Sequence, residues 1–284
     1  MNDWKIELDY FISNAIKEDI GEADHTSLAC VPGDEESHAI LLIKEEGIMA
    51  GIELAVEIFR HVDPELRINT FLEDGARVQP NHVAFEVSGN ARSILKAERL
   101  VLNCMQRMSG IATATRRYVD LTSPHGCQIL DTRKTTPGFR TVEKWAVRLG
   151  GGTNHRFGLY DMIMIKDNHI DYAGGIEAAI NRTVDYLQEI KKDLKIEIEA
   201  RDLNEVDEIL KVGKIHRIML DNFSFDDLKT AVKLINGKYE TEASGGITEE
   251  TVADYAACGV DYVSVGALTH QIHSLDMSLK AKLS

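Results

Sequence analysis

The chain lacks the features of a membrane protein or a secreted protein. No apolar run approaches the roughly 20 residues that a membrane-spanning helix needs. The first ten residues carry Asp3, Glu7 and Asp9, and so acidic a start is unlike a signal or transit peptide. Cysteine is scarce, and the four present are scattered with no CxxC pair: Cys30, Cys104, Cys127 and Cys258. This pattern is typical of reduced thiols, so we expect a cytoplasmic protein that does not insert into a membrane.

Positive charge is scarce as well. The chain has 32 Lys and Arg against 46 Asp and Glu, a net charge of −14. This balance disfavours a protein that binds nucleic acid or an anionic membrane by bulk electrostatics. With 284 residues, of which 44% are hydrophobic, the chain can bury a large core, either as one barrel or as a barrel with a smaller domain.

The first third of the chain has a mixed pattern of apolar residues. Apolar spacing and turn residues predict helices over Glu7–Asp19, Gly51–Val62 and Ala91–Leu121, and short strands within Ser37–Ala50, Arg67–Leu72 and His82–Val87. This part is therefore expected to be an α+β domain that leads into a long helix.

From Cys127 onward the pattern changes to six short apolar runs, each ending in polar or glycine residues. The runs recur at intervals of 22 to 33 residues, with helical patterns between the last five. Strands alternating with helices in this way predict parallel βαβ units, and many such units in series favour a barrel. A doubly wound open sheet is the alternative, but no GxGxxG follows any run. The runs are Gln128–Lys134, Met162–Asn168, Lys195–Ala200, Arg217–Asn222, Thr241–Ile247 and Tyr262–Leu268.

Basic residues concentrate in one part of this acidic chain. Between Asp131 and Lys166 there are seven cations and three acids, a net charge of +4. Because strand ends build the active site of a βα barrel, we expect Arg133, Lys134 and Lys166 to bind anionic groups there. Three other cations fall on a predicted helix, where pairing with acids or solvent is an equally good interpretation: Arg140, Lys144 and Arg148.

Two acids, Glu199 and Asp221, end neighbouring runs. Together they could hold Mg²⁺, which takes one or two carboxylates along with substrate oxygens. A general acid–base pair and a pair of ion-paired barrel acids are the alternatives. We expect Glu197 to point to the side of the strand opposite Glu199.

Glycine ends the last two runs, at Ser244–Gly246 and Gly266–Ala267. Glycines at these ends let backbone N–H groups approach a phosphate, and barrels often bind phosphate at their last strands. The alternative for the first segment is a tight turn into a helix near Thr248. Another glycine run, Gly150–Gly152, precedes His155-Arg156 and indicates a flexible loop.

Together these motifs resemble the quinolinate phosphoribosyltransferase family. The most specific motif is DTRKTTPGFR at Asp131–Arg140. The likeness continues through nearly the whole chain, in the segments Gly150–Gly152 with His155-Arg156, Ile165–His169, Glu197–Glu199, Met219–Phe223 and Glu242–Ile247.

The resemblance implies a fold in which an N-terminal α/β sandwich domain, residues 1–110 with the long connecting helix, packs on a seven-element, TIM-like α/β barrel, residues 111–284. Six strands are found in the sequence, so one remains to be located. It also implies that a C-terminal helix packs back on the N-terminal domain. The expected assembly is a homodimer, or a higher oligomer built from it, in which Arg99 reaches the partner's site.

The implied reaction joins quinolinate to 5-phosphoribosyl 1-diphosphate and releases diphosphate and CO₂, giving nicotinate mononucleotide for NAD biosynthesis. The carboxylates of quinolinate suit Arg99, Arg133, His155 and Arg156. The diphosphate suits Lys134, Lys166 and Mg²⁺ held by Glu199 and Asp221, directly or through water, and these four side chains are the expected catalytic residues. The implied substrate-binding set is completed by Thr132, Ser244, Gly245, Gly246, Val265, Gly266 and Ala267.

Three other functions compete with this one. A Schiff-base aldolase with Lys166 or Lys134 as nucleophile explains a lysine on a barrel strand but not the arginines. A molybdate-transport-associated homologue of uncertain substrate is disfavoured by the intact segment Lys166–His169. A barrel that binds phosphate without catalysis is disfavoured because every strand-end charge is present.

Overall fold

The computed structural model describes residues 3–282, and the side chains of residues 6–282. The chain divides into two compact units. The first comprises Met1–Arg116, Thr135–Gly151 and Leu268–Ser284, and the second comprises Arg117–Lys134 and Gly152–Ala267. This division is discontinuous. The ranges 1–110 and 111–284 expected from the sequence stay a prediction, and their ends at residues 1–2 and 283–284 lie outside the described residues. Within residues 3–282, no helix combines the length and the apolar content needed to span a membrane.

The first unit is built on a four-stranded antiparallel sheet in the order β12-β1-β5-β3. A two-stranded ribbon, β2-β4, lies apart from it. The strands are β1 (Glu36–Ile43), β2 (Gly47–Ile48), β3 (Arg67–Thr70), β4 (Arg77–Val78), β5 (Val83–Asn90) and β12 (Met277–Ala281). The helices are α1 (Asp3–Ile20), α2 (His25–Cys30), α3 (Ile52–Val62), α4 (Ala91–Thr122) and α5 (Arg140–Leu149), of which α4 continues into the second unit. The predicted helices and strands of the first third are present, and α2, β4 and β12 are additional to them.

The end of the described chain is a strand, so the prediction of a C-terminal helix is wrong. Strand β12 pairs antiparallel with β1, with Met277 opposite Ile43 and Leu279 opposite Leu41. The physical reason is the period of the sequence: apolar and polar residues alternate in Met277–Lys282, and this pattern suits one half-buried face of a strand.

The second unit is a parallel sheet of six strands in the order β6-β11-β10-β9-β8-β7. All six apolar runs predicted as strands are confirmed, as β6 (Gln128–Leu130), β7 (Ile163–Ile165), β8 (Ile196–Ala200), β9 (Arg217–Asp221), β10 (Glu240–Ser244) and β11 (Tyr262–Ser264). The helices that follow strands β7 to β11 are α6 (Asp167–Ala173), α7 (Ile176–Glu189), α8 (Leu203–Val212), α9 (Phe225–Ile235), α10 (Val252–Ala257) and α11 (Ala267–His270).

The seventh position beside the sheet is taken by a single residue. Thr153 forms a parallel bridge with Leu130 on the free edge of β6. Its N–H donates to Ile129 O over 2.8 Å, and its carbonyl accepts from Asp131 N over 3.3 Å. A one-residue bridge has no apolar run of its own, which is why the sequence pattern did not indicate it.

The parallel sheet is rolled up. Strand β8 lies four steps from β6, which would be about 19 Å in a flat sheet at roughly 4.8 Å per strand. Yet His155, two residues beyond Thr153 on the far edge of β6, brings its Nε2 within 2.9 Å of Glu197 Oε2 on β8. Such a contact requires closure into a barrel, with Glu197 pointing into its interior.

Gly110 in α4 gives a test of packing within the first unit. Alanine is normally favoured over glycine in a helix by about 1 kcal/mol. A Cβ at this position, however, would lie 2.2 Å from the carbonyl oxygen of His273. We expect Gly110→Ala to lower the free energy of unfolding by about 1–3 kcal/mol, measured by urea denaturation, because overpacking outweighs helix propensity.

Gly33→Ala is the matched control in the same unit. Its Cβ would meet only the guanidinium atoms of Arg92, at 3.6 Å and beyond, so stability should stay unchanged. A Gly110→Ala variant as stable as the parent would contradict the packing described here.

Candidate active site

The polar side chains that follow the parallel strands lie at one edge of the sheet. Ser244 is in register with Asp221, and Glu199 with Met219, so β8, β9 and β10 end side by side. Lys166 follows the last residue of β7, and its Nζ lies 3.6 Å from Glu199 Oε2. The strand-end residues Lys166 and Glu199 therefore lie together.

Glu199 and Asp221 form the acidic side of this edge. Glu199 is only 8% exposed, and burial raises the pKa of its carboxyl while Lys166 lowers it and Asp221 raises it. Asp221 Oδ2 accepts a hydrogen bond of 2.6 Å from the side-chain amide of Asn222. Two acids next to one lysine leave negative charge for a further cation, and paired carboxylate oxygens are ligands that Mg²⁺ prefers.

Arg133 and Arg156 form a basic side. The two residues follow segments that Asp131 joins, since its carboxylate accepts from His155 N over 2.8 Å. Burial and then the charge of Arg133 lower the pKa of Arg156. Arg156 is half-buried, and its Nη1 donates to Met162 O over 3.2 Å. Two like charges held together in this way are stabilised by an anion, and the guanidinium fork suits a carboxylate.

The segment before Arg156 is held by Asp131, at the end of β6. This carboxylate is fully buried and accepts from His155 N over 2.8 Å and from Asn154 Nδ2 over 2.6 Å. With the bridge at Thr153, these bonds hold the segment that follows the glycine run to β6. The flexibility expected from Gly150–Gly152 therefore does not extend to His155.

A buried charged cluster lies below this edge, inside the barrel. His155 Nε2 faces two acids, Glu197 Oε2 at 2.9 Å and Glu242 Oε2 at 3.4 Å. Arg217 Nη1 donates to Glu242 Oε2 over 3.1 Å, and its guanidinium lies 4.1 Å from the centre of the Tyr262 ring. Glu197 and Glu242 are both fully buried. Charged residues thus occupy an interior that branched apolar side chains usually fill.

The expectation that Glu197 and Glu199 point to opposite sides is wrong. Residues two apart on a strand share a face, because successive side chains alternate. Glu197 meets His155 in the interior, and Glu199 meets Lys166 at the edge. Both acids therefore stand on the inner face of β8, at different heights.

The contacts of His155 favour a proton on Nε2. Burial opposes a charged imidazole, but hydrogen bonds to Glu197 and Glu242 raise the pKa of His155. Nδ1 accepts the backbone N–H of Arg156 over 2.7 Å, and this contact opposes a second proton there. The two acids favour a charged imidazole, whereas the N–H contact at Nδ1 favours a neutral one. Both are compatible with a proton on Nε2.

The same three side chains have the ligand types of a metal site. One ligand atom from each of His155, Glu197 and Glu242 lies within 4.8 Å of the others. Arg217, however, already pairs with Glu242, so a divalent ion would bring positive charge next to a buried guanidinium. We assign this cluster to internal ion pairing.

The glycines after β10 adopt backbone conformations that side chains disfavour. Gly245 has φ of 106° and Gly246 φ of 59°. A Cβ on Gly245 would lie 2.2 Å from Asn222 Oδ1, so the close approach of Asn222 requires glycine. After β11, Val265 is buried and donates its N–H to Leu130 O over 3.0 Å, and Gly266 and Ala267 follow at the same edge. The phosphate-binding role of these residues stays a prediction.

The remaining cations of the basic stretch belong to α5 in the first unit. Arg140 Nε donates to Thr135 Oγ1 over 2.9 Å, Lys144 is only 2% exposed, and Arg148 is exposed. The first unit also carries Arg99, exposed on α4. Thr132 and Lys134 follow β6 in the second unit, where Thr132 Oγ1 accepts from Lys134 N over 3.0 Å. The structure therefore brings Lys166 and Glu199 together in the second unit, and the cations of α5 belong to the first unit.

Sequence reasoning gave no role to Asp131, Arg217 or Glu242. All three lie within or directly after apolar strand runs, where a charged side chain is costly unless it is paired. Arg217 and Glu242 occupy inward positions on neighbouring strands. Charged residues at alternate positions of two such runs were the signal that could have indicated an internal ion pair.

Comparison with known proteins agrees with the motif resemblance. The family model of the quinolinate phosphoribosyl transferase C-terminal domain matches residues 111–280, and that of the N-terminal domain matches residues 24–109. The chloroplastic nicotinate-nucleotide pyrophosphorylase (carboxylating) of Arabidopsis thaliana is 48% identical over 289 residues, covering 96% of this chain and 82% of the relative. A probable nicotinate-nucleotide pyrophosphorylase (carboxylating) of Bacillus subtilis is 41% identical over 279 residues, covering 98% and 95%.

Solved structures show the same likeness. The nicotinate-nucleotide pyrophosphorylase of Francisella tularensis superposes with a TM-score of 0.90 at 38% identity, covering 98% of this chain and 96% of that one. Both the sequence relatives and this structure match the chain over nearly its whole length. The chain therefore belongs to the quinolinate phosphoribosyltransferase family.

Proposed function

We propose that this protein transfers the phosphoribosyl group of 5-phosphoribosyl 1-diphosphate to quinolinate, with loss of CO₂, in NAD biosynthesis. The observation that supports this most is the division of one strand-end edge into two kinds of site. A basic side is formed by Arg133 and Arg156, and a mixed side by Lys166, Glu199 and Asp221. One edge can thus bind a planar dicarboxylate and a magnesium diphosphate next to each other.

Quinolinate would bind at the basic side. Its two adjacent carboxylates carry negative charge in the plane of the ring, and guanidinium forks match carboxylates in two hydrogen bonds at once. The nearby Arg133 and Arg156 repel each other until such an anion binds. The segment that carries Arg156 is already held by Asp131 through His155, so little ordering is left to occur on binding.

5-Phosphoribosyl 1-diphosphate would bind along the mixed side. Lys134 and Lys166 suit the diphosphate, and the 5-phosphate suits the glycines at Ser244–Gly246 and Gly266–Ala267. Glu199 and Asp221 are suited to hold Mg²⁺, directly or through water, since the ion prefers carboxylate oxygens together with substrate oxygens. When bound there, Mg²⁺ would neutralise charge on the diphosphate.

The chemistry breaks two bonds and forms two. The bond between ribose C1 and the diphosphate oxygen breaks, and the electron pair leaves with diphosphate, whose charge Lys166 and Lys134 stabilise. C1 becomes cationic near Glu199 and Asp221, and the pyridine nitrogen of quinolinate bonds to it. The bond from ring C2 to its carboxylate then breaks and releases CO₂. The cationic ring nitrogen stabilises the electron pair left on C2 until a proton adds there.

We also propose a homodimer in which Arg99 of one protomer reaches the quinolinate site of its partner. Arg99 is exposed at the surface of α4, which leaves it accessible to a second copy. All four cysteines are free thiols, which supports a reducing location such as the cytoplasm.

The deciding assay mixes the protein with quinolinate, 5-phosphoribosyl 1-diphosphate and Mg²⁺. We expect nicotinate mononucleotide and CO₂ in equal amounts, measured by chromatography and by release from carboxyl-labelled quinolinate. A parallel reaction with a chelator tests the magnesium proposal and should be inactive. Failure to form product with Mg²⁺ present would overturn the proposed function.

Gly245→Ala tests the phosphate end of the site. The new Cβ would displace Asn222, and with it Asp221, so the KM for 5-phosphoribosyl 1-diphosphate should rise about 10-fold or more. Gly237→Ala is the control, since Gly237 also has a left-handed φ, of 70°, but a Cβ there meets nothing within 4 Å. An equal rise in this KM in both variants would mean that backbone strain, rather than displacement of Asn222, causes the effect.

Mixing two inactive variants tests the dimer. Lys166→Ala should lower kcat by about 100-fold or more, because a group that stabilises the leaving diphosphate is lost. Arg99→Ala should abolish quinolinate binding in the partner's site. A heterodimer of the two variants has one site with neither change, so activity should return when they are refolded together.

Two results would argue against this arrangement. Activity of the mixture that stays at the mean of the two variants would show that Arg99 serves its own protomer or no site at all. The control variant Lys233→Ala, on the exposed face of α9, should turn over like the parent. A loss of turnover there would show that lysine removal acts nonspecifically.

A further inference from the structure

The buried cluster inside the barrel consists of His155, Glu197, Glu242 and Arg217. The His155 side chain is 4% exposed, and Glu197 and Glu242 are 0% exposed. Arg217 pairs with Glu242 and also donates to Glu240 Oε2 over 3.0 Å. These residues come from three strands and from the segment beside β6, so the cluster joins four parts of the barrel wall.

Each acid of the cluster lies against a nitrogen group. Nε2 of His155 lies 2.9 Å from Glu197 Oε2, and the guanidinium of Arg217 donates to Glu242 Oε2 over 3.1 Å. A buried carboxylate that loses its partner is strongly destabilising, and this penalty holds the members in one arrangement. The His155 ring is therefore fixed in both position and tautomer.

The fixed ring in turn holds Arg156. Nδ1 of His155 accepts the backbone N–H of Arg156 over 2.7 Å, and Met162 O accepts from its guanidinium over 3.2 Å. Arg156 is thus held at its main chain and at the end of its side chain. Both contacts keep a charged group near Arg133 despite their mutual repulsion.

We propose that Glu197, with Glu242 and Arg217, is a positioning residue for the anionic substrate. It fixes the His155 ring, and His155 holds Arg156 beside Arg133 before substrate arrives. The His155 side chain then orients its neighbour Arg156. For the identity of that substrate, quinolinate, this inference rests on the proposed function.

Two substitutions at one position test the hydrogen-bond route. Glu197→Leu removes the acceptor for His155 Nε2–H, and Glu197→Gln keeps one in its amide oxygen. In Glu197→Leu we expect the Kd for quinolinate, measured by calorimetry, to rise about 10-fold or more, as is usual when a supporting shell is lost. The KM for 5-phosphoribosyl 1-diphosphate should stay near the parent value, and Glu197→Gln should restore quinolinate binding.

Other outcomes would overturn the inference. If Glu197 had only a structural role, Glu197→Leu would lower the amount of active protein, or would raise both the Kd for quinolinate and the KM for 5-phosphoribosyl 1-diphosphate. If Glu197→Gln bound quinolinate as weakly as Glu197→Leu, Glu197 would not act through a hydrogen bond to His155. Asp207→Asn is the control, since it breaks an exposed pair with Lys211 on α8 and should change neither constant.

The effects of Glu197 and His155 should not add. If Glu197 acts through the ring, His155→Phe and Glu197→Leu should weaken quinolinate binding by similar factors, and the double variant by no more than either. Additive losses would show that the two residues act separately and would overturn the proposed route.

Nitrogen NMR of the parent protein tests the arrangement even where a variant fails to fold. With ¹⁵N-labelled histidine, and at a pH where the ring is neutral, His155 should carry its proton on Nε2 and none on Nδ1. A proton on Nδ1 would overturn the inference. A parent protein that does not bind quinolinate would overturn the proposed function instead. In that case sulfate replaces quinolinate as the test ligand for Arg133 and Arg156, and Glu197→Leu should weaken sulfate binding as well.

Discussion

Closure of the parallel sheet around charged side chains is the constraint on which the site depends. His155, Glu197, Glu242 and Arg217 are buried, and each would be costly alone in a low-dielectric interior. They are tolerable only where the sheet curls enough to bring β8 and β10 to the segment beside β6. The same closure brings the strand ends into one ring, so stability and site geometry depend on one arrangement.

Side chains at two levels inside the barrel have different roles. At the lower level, the buried acids Glu197 and Glu242 meet His155 and Arg217. One step higher on the same strands, Glu199 meets Lys166 at the edge, where substrate can reach it. Because side chains two apart share a face, each inward strand can supply one residue to each level. The interior thus supports the site directly above it.

The two compact units are not continuous in sequence. The segment Thr135–Gly151 belongs to the first unit although it lies between two parts of the second. The end of the described chain also belongs there, as a strand beside β1. The order of segments along the chain does not show which unit each segment joins, because residues that are neighbours in sequence can pack in different cores.

By itself the sequence determined the six parallel strands, since apolar runs at regular intervals have few other folds. It also determined the family and the strand-end residues, because DTRKTTPGFR and the charged run ends are local patterns. Only the tertiary structure decided that Glu197 faces His155, that Thr153 fills the seventh position, and that Asp131 holds the segment before Arg156. Each of these is a contact between distant residues, and such contacts arise from closure of the sheet rather than from local spacing.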